Sequence, residues 1–283
     1  MPTQFYPDTN VIHLISSSWT PTEFDKKARA GGYTLCLGHQ TYELARSFLY
    51  DHNQEAVKAA FAFLSEIECI DYLPNVEKCI EAECYLAGTG MSLITVVGPF
   101  NRVATKQEIW RLARGSADEA TEFIAKREAN VAKDKERITE LNQAAGERAK
   151  EIDPQRAAAI KTFEDLQREL TPGRSGWLKN FAKKKGYGAT TDTMGRILAD
   201  PIQYPILNTV VSSQEYLYFI NIFHKAAPGK DTLDDFRHLV ESSMCDLFVT
   251  NDGNLLRQSQ TIRPFKPVAS WPEFKAAFDP EKN

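Results

Sequence analysis

No apolar run in the 283 residues approaches the roughly 18 that a membrane-spanning helix needs. The first residues, MPTQFYPDTN, lack the basic and apolar stretches of a secretory signal. Cysteine is scarce. The five present (Cys36, Cys69, Cys79, Cys84 and Cys245) form no C-x-x-C pair, and an odd number suits neither a disulfide framework nor a structural zinc site. Reduced, mostly buried thiols in a cytoplasmic protein are the expectation. Positive charge is also short: 34 Lys and Arg face 38 Asp and Glu, for a formal net charge of −4. The molecule as a whole therefore offers polyanions no attraction, and contact with nucleic acid would need a local basic patch. No Ser/His/Asp signature, P-loop, G-x-G-x-x-G fingerprint or internal repeat is present.

What is present is an α/β pattern. Apolar side chains make up 42% of the chain, enough for one large domain or two modest ones. Strand candidates are Gln4–Asp8, Tyr33–Leu37, Cys69–Leu73, Asp246–Thr250 and Ile262–Val268. Helical patterns alternate with them: from Asn10, from Thr41, Ala56–Ile67, Val76–Leu86, Tyr204–Lys225, Thr232–Met244 and Trp271–Phe278. This alternation predicts a three-layer α/β/α sandwich around a mainly parallel sheet of four or five strands. Between Thr105 and Leu170 the chain turns rich in Ala, Glu, Lys, Arg and Gln, with leucines too sparse for a coiled-coil seam. It reads as an α-helical insertion, a hairpin turning near Asp153–Pro154. A solvated spacer is the plainer alternative.

The segment Thr171–Gly188, TPGRSGWLKNFAKKKGYG, carries Arg174, Lys179, Lys183, Lys184 and Lys185 and no acid. Its glycines and proline suggest a loop. Interleaved Trp177, Phe181 and Tyr187 suit stacking on bases while the cations track phosphates. A solvated basic loop would look the same.

Several acids fall where chemistry collects in such folds. Asp8 ends the first strand, Asp252 ends the VTND strand, and Glu43 lies on the helix after the second. Ligands of parallel sheets bind beyond the carboxyl ends of the strands, and hard divalent cations take oxygen ligands of this kind. For a fourth acid, Asp231, Asp234 and Asp235 compete. With Phe236, Leu239, Val240 and Ser243 as the buried stripe, Asp235 borders that stripe and Asp234 points away. Asp235 is favoured, with Asp231 as a helper. Acids in a first turn also suit the helix dipole, whatever their function. Asn10 and Thr250 are candidates to hydrogen-bond to the carboxylates, Asn10 equally to cap a helix. His238 lies near the same place, where a structural role is the simpler reading. Four crowded carboxylates should raise at least one carboxyl pKa.

Four motifs thus come in order: D-T-N-V-I at Asp8–Ile12, T-Y-E-L-A at Thr41–Ala45, D-x-x-H-L from Asp235, and C-D-L-F-V-T-N-D at Cys245–Asp252. This series resembles the PIN-domain nucleases, and in particular PIN-like proteins with a D-x-x-H helix before a V-T-x-D strand. The closing W-P-E-F at Trp271–Phe274 resembles their last helix. The resemblance implies a discontinuous domain, 1–104 and 189–283, interrupted by the insertion with its basic loop, 105–188. It implies one or two Mg²⁺ or Mn²⁺ ions held by Asp8, Glu43, Asp235 and Asp252, and hydrolysis of phosphodiester bonds, RNA more than DNA. The insertion offers room for a protein partner, and a homo-oligomer is compatible with the sequence. Three rivals remain. An inactive PIN-like module would bind RNA or protein, although all four acids are in place. A toxin held by an antitoxin would be shorter. An aspartyl-phosphate phosphatase would want D-x-D where Asn10 stands.

Overall fold

Five short apolar segments form the sheet: β1 (Thr3–Pro7), β2 (Tyr33–Leu37), β3 (Ile70–Tyr72), β4 (Leu247–Thr250) and β5 (Val268–Ser270). The computed structural model describes residues 2–49, 54–89, 104–115, 118–125, 154–184, 186, 190–223 and 232–280. All five strands are parallel, in the order β3-β2-β1-β4-β5. The chain moves outward from β1 to β3, then returns to lay β4 against the other side of β1. In open parallel sheets, crevices form at such reversals, outside the carboxyl ends of the strands.

Among the described residues the chain forms α1 (Thr9–Ser18), α2 (Pro21–Gly31), α3 (Gln40–Ser47), α4 (Gln54–Glu66) and α5 (Val76–Thr89). There follow α6 (Lys106–Arg114), α7 (Pro154–Ala159), α8 (Phe163–Lys184), α9 (Thr191–Ala199) and α10 (Pro205–Ile222). Last come α11 (Thr232–Ser242), α12 (Gly253–Ile262) and α13 (Trp271–Phe278). None is long and apolar enough to cross a membrane.

Side chains of a strand alternate between the faces of its sheet, and here both faces are covered. Phe5, Leu35, Leu37 and Val249 point into one core with residues of α1, α2, α3, α4 and α13. Tyr6, Cys36 and Phe248 point into the other, with Leu217 of α10, Phe236 and Leu239 of α11, and Leu255 and Ile262 of α12. This arrangement is compatible with three α/β/α layers. Each fully buried Phe or Leu contributes roughly 1.5–3 kcal/mol.

The insertion divides between two places. Ile109 and Leu112 of α6, with Ala120, Phe123 and Ile124, join the first core. Leu178 and Ala182 of α8 join a further cluster with Cys79, Met194, Leu207 and Val240, from α5, α9, α10 and α11. One buried acid ties this region together. Glu83 of α5 accepts the N–H groups of Ile206 (2.9 Å) and Leu207 (2.7 Å), capping the first turn of α10. Burial pushes its carboxyl up to about 8 against the pull of those two bonds.

Some expectations need correction. The stretch from Thr171 is not a loop: Thr171–Lys184 continues α8, with Pro172 inside the helix. Burial of Leu178 and Ala182 against other helices outweighs the local breaker signal. Ile262–Val268 is not a strand, because Ile262 ends α12 and the strand begins at Val268. The break expected at Asp153–Pro154 falls partly outside the described residues; Pro154 opens α7, and the next break is at Ile160–Thr162. Helix α2 went unanticipated although its signals are complete: a Thr20–Glu23 capping box, Pro21 at the first position, and Gly32 at φ 67° closing it.

Pro7 sits in the central strand without an N–H to give. β1 pairs with β2 only as far as Phe5–Leu35, while Pro7 stays in register with Val249 of β4. On the β2 side, the buried Gln40 amide donates to the carbonyls of Pro7 (3.1 Å) and Cys36 (3.1 Å). A side chain thus takes over the ladder where proline ends it, and the strands part at the carboxyl edge.

Candidate functional site

Asp8 follows β1 directly and caps α1: its Oδ1 accepts the N–H of Val11 at 2.7 Å. Its Oδ2 accepts the Thr250 hydroxyl and the Asn251 N–H (3.1 Å), both from the end of β4. Thr250 thus makes the hydrogen bond to the Asp8 carboxylate that the sequence suggested. Asn10 is not: Asp8 is the cap, and Asn10 is an exposed second residue of α1 with no hydrogen bond to the acids among the described residues. Asp252 is exposed and caps α12 through the N–H groups of Asn254 (2.6 Å) and Leu255 (3.1 Å). Its own N–H donates to Thr250 Oγ1 at 3.0 Å, so Asp8 and Asp252 are joined through one threonine.

Glu43, on α3, accepts the Thr9 hydroxyl and His238 Nε2 (2.8 Å) on Oε2. The other nitrogen of His238 meets the Tyr6 hydroxyl at 2.9 Å, and that hydroxyl donates to Glu241 Oε2 at 3.0 Å. An imidazolium donating from both nitrogens fits this chain, with an acid at each end. Burial would raise the Glu43 carboxyl, but the charge and hydrogen bond of His238, with His39 and Thr9, hold it at about 2. Burial would lower His238, but Glu43, then Asp8 and Glu241, lift it to about 9. The expected rise of a crowded carboxyl is thus reversed at Glu43, because two histidines lie among the acids. Tyr6 is pushed well above 10, first by burial and then by Glu241 and Glu43.

A second group abuts the first. His39 donates its backbone N–H to Glu241 Oε2 at 2.5 Å and places Nε2 3.2 Å from Asp234 Oδ1. Arg46 holds Asp234 Oδ2 at 3.4 Å. Gly38 makes this closeness possible: a Cβ there would lie 2.1 Å from Glu241 Oε2.

Of the acids weighed on α11, the structure brings Asp234 to His39, Glu43 and Arg46 in place of the favoured Asp235, which is equally part-buried but outside that group. Asp231 lies outside the described residues. The apolar stripe was a poor guide because a polar stripe runs beside it. Asp234, His238 and Glu241, spaced i, i+4, i+7, share the face turned to the site. His39, Tyr6 and Glu241 were missed; the spacing of Asp234, His238 and Glu241 was the available signal.

On α8, Lys179, Lys183 and Lys184 are exposed, and Trp177 stacks on Phe181 at 5.7 Å and 11°. Arg174 instead makes a two-bond pair with Glu215, at 2.7 and 2.9 Å, in a part-buried position. Lys185 and Tyr187 lie outside the described residues.

No known protein family, curated protein or solved structure matches this chain. The donors themselves must then be weighed for a metal. Asp8 and Asp252, after β1 and β4, and Glu43 on α3 offer hard carboxylate oxygens at one edge of the sheet, the kind Mg²⁺ and Mn²⁺ take. Thr250, Thr9 and His238 orient two of them, as partners behind metal ligands do. Among the described residues, however, the donors close enough to share one ion are those of His39, Glu43 and Asp234.

Proposed function

We propose that the chain is a metal-dependent nuclease of the PIN type, cleaving phosphodiester bonds in RNA in preference to DNA. The observation that carries this reading is the common origin of Asp8, Glu43 and Asp252 at the carboxyl edge, where the strand order reverses around β1. The preference for RNA rests on the motif resemblance. Mg²⁺ or Mn²⁺ held by Asp8, Glu43 and Asp252 would acidify a bound water and offset charge on the scissile phosphate. Thr250 and the Asn251 N–H fix the Asp8 carboxylate, and His238 fixes Glu43. The exposed Lys179, Lys183 and Lys184 would supply the local attraction that an acidic chain lacks as a whole. Trp177 and Phe181 beside them are half-buried against the cluster formed with α5, α9 and α10, which favours a packing role for these rings.

The test is cleavage of labelled RNA and DNA with Mn²⁺. Asp8→Asn and Asp252→Asn should each slow wild-type cleavage on the order of 10²-fold or more, the scale of losing a group that acts on the reacting water. Changing Lys179, Lys183 and Lys184 to Ala should weaken RNA binding and flatten its salt dependence. Cleavage by Asp8→Asn at the wild-type rate would overturn the reading.

One observation favours a second reading, a non-catalytic RNA-binding module. Asp8 and Asp252 both cap helices and Glu43 is paired with His238, so each acid already serves the fold. Salt-sensitive RNA binding without Mn²⁺-dependent cleavage would select it.

A further inference from the structure

We propose that His39, Glu43 and Asp234 form a separate cation position suited to a transition metal such as Zn²⁺, Co²⁺ or Mn²⁺ rather than to Mg²⁺. It deepens the metal reading of this end of the sheet, with which it shares Glu43, but its test does not depend on cleavage.

One nitrogen and two carboxylate oxygens from these residues lie within 4.8 Å of one another. His39 has helical backbone angles, φ −59° and ψ −30°, at the start of α3, so His39 and Glu43 stand four residues apart on one helix face. Asp234 closes the triangle from α11. Three protein ligands leave room for water or substrate in a fourth place.

Each donor is held by something else. The His39 ring stacks on Tyr42 at 5.3 Å and 26°, meets His238 edge-on, and is anchored by its backbone bond to Glu241. Arg46 takes Asp234 Oδ2, leaving Oδ1 toward His39. Thr9 and His238 both take Glu43 Oε2, leaving Oε1. Metal sites are built this way, with a partner fixing each ligand from behind. His39 is buried while Glu43 and Asp234 are partly open, which gives an ion a way in. A bound ion would take the place of the direct contact between His39 and Asp234, at metal–ligand distances of about 2.0–2.2 Å.

The imidazole decides the class of ion. Nitrogen with carboxylates suits Zn²⁺, Co²⁺ and Mn²⁺, whereas Mg²⁺ favours oxygen alone and keeps most of its water. The carboxylates at the strand ends, by contrast, offer only oxygen.

The test is titration of Co²⁺ into the metal-stripped full chain, followed by its visible absorption. One Co²⁺ should bind per chain, displaced by Zn²⁺ and not by excess Mg²⁺. His39→Asn and Asp234→Asn should each weaken it about tenfold or more. Binding untouched by His39→Asn, displacement by Mg²⁺ as readily as by Zn²⁺, or no binding by the wild type would each overturn the proposal. Retention in His39→Asn with loss in Asp8→Asn would place the metal among the strand-end carboxylates alone, rejecting this position and leaving the nuclease reading intact. If circular dichroism shows His39→Asn unfolded, cobalt X-ray absorption of the wild type decides: an imidazole in the shell is expected, and an oxygen-only shell overturns the proposal.

Discussion

His238 stands between acids, and that fixes how the metal-free protein should respond to pH. Its folded pKa of about 9 lies above the usual 6.5, so its contribution is complete below pH 6.5 and disappears as pH rises through 9. Glu43, lowered from 4.5 to about 2, contributes fully above pH 4.5 and loses that contribution as pH falls through 2. The pair therefore stabilises most between pH 4.5 and 6.5. In EDTA, the melting temperature should fall from pH 6.5 to 9, and His238→Gln should flatten that slope; the free-energy change is on the order of 3 kcal/mol at most. An unchanged slope would show that His238 is not the group titrating. Arg263 presents the opposite case, a buried cation with no acid bonded to it among the described residues. It donates to Ser259 (3.0 Å) and Ser243 (3.5 Å) and lies over the Phe248 ring, its other terminal nitrogen has no partner among the described residues, and burial pulls its pKa down to about 9. Replacing a buried charge by an apolar side chain of similar length is often neutral or stabilising. Arg263→Met should leave urea-unfolding stability unchanged or higher; a loss beyond about 2 kcal/mol would show the guanidinium to be indispensable.

At the scale of elements, α8 is a helix against its own composition. Pro172 lacks the N–H that an interior helical residue donates, and Gly173 and Gly176 follow within one turn. Among the described residues nothing lies within 4 Å of a Cβ added at either glycine. Gly173→Ala and Gly176→Ala should therefore each stabilise the fold by up to about 1 kcal/mol, seen as a higher melting temperature. If both lower it, α8 is not helical there. The same segment shows what the sequence could and could not convey. β2 and α13 were legible to the residue, because an apolar run between turn signals and a Ser270–Glu273 capping box are local features. Packing overrode the Pro-Gly signal in α8, since Leu178 and Ala182 are buried against distant helices. Asp8 and Asp252 could be placed at strand ends, and Glu43 on the helix after β2, from periodicity alone. The partnership of Asp234 with His39 could not, because it depends on how α11 is turned against α3, which only the third dimension fixes.

For the whole molecule, the strand-end carboxylates predict linkage between metal and stability. At 100 times its dissociation constant, a metal that binds only the folded state adds about 2.7 kcal/mol, so millimolar Mn²⁺ should raise the melting temperature. Asp8→Asn should blunt the rise, and a wild-type curve indifferent to Mn²⁺ would speak against any metal there. The Glu83 cap on α10 carries a consequence of a different kind, in the order of assembly. The N–H groups of Ile206 and Leu207 are satisfied by a carboxylate 123 and 124 positions earlier in the chain. Helix α10 can begin on its own, but its first turn is completed only after that long stretch has closed on itself. Closures of such length come late in folding, after local structure has formed. Glu83→Ala should therefore quicken unfolding in stopped-flow experiments and leave the folding rate nearly unchanged. The bond that ends the search is also the first to be tested when the chain begins to let go.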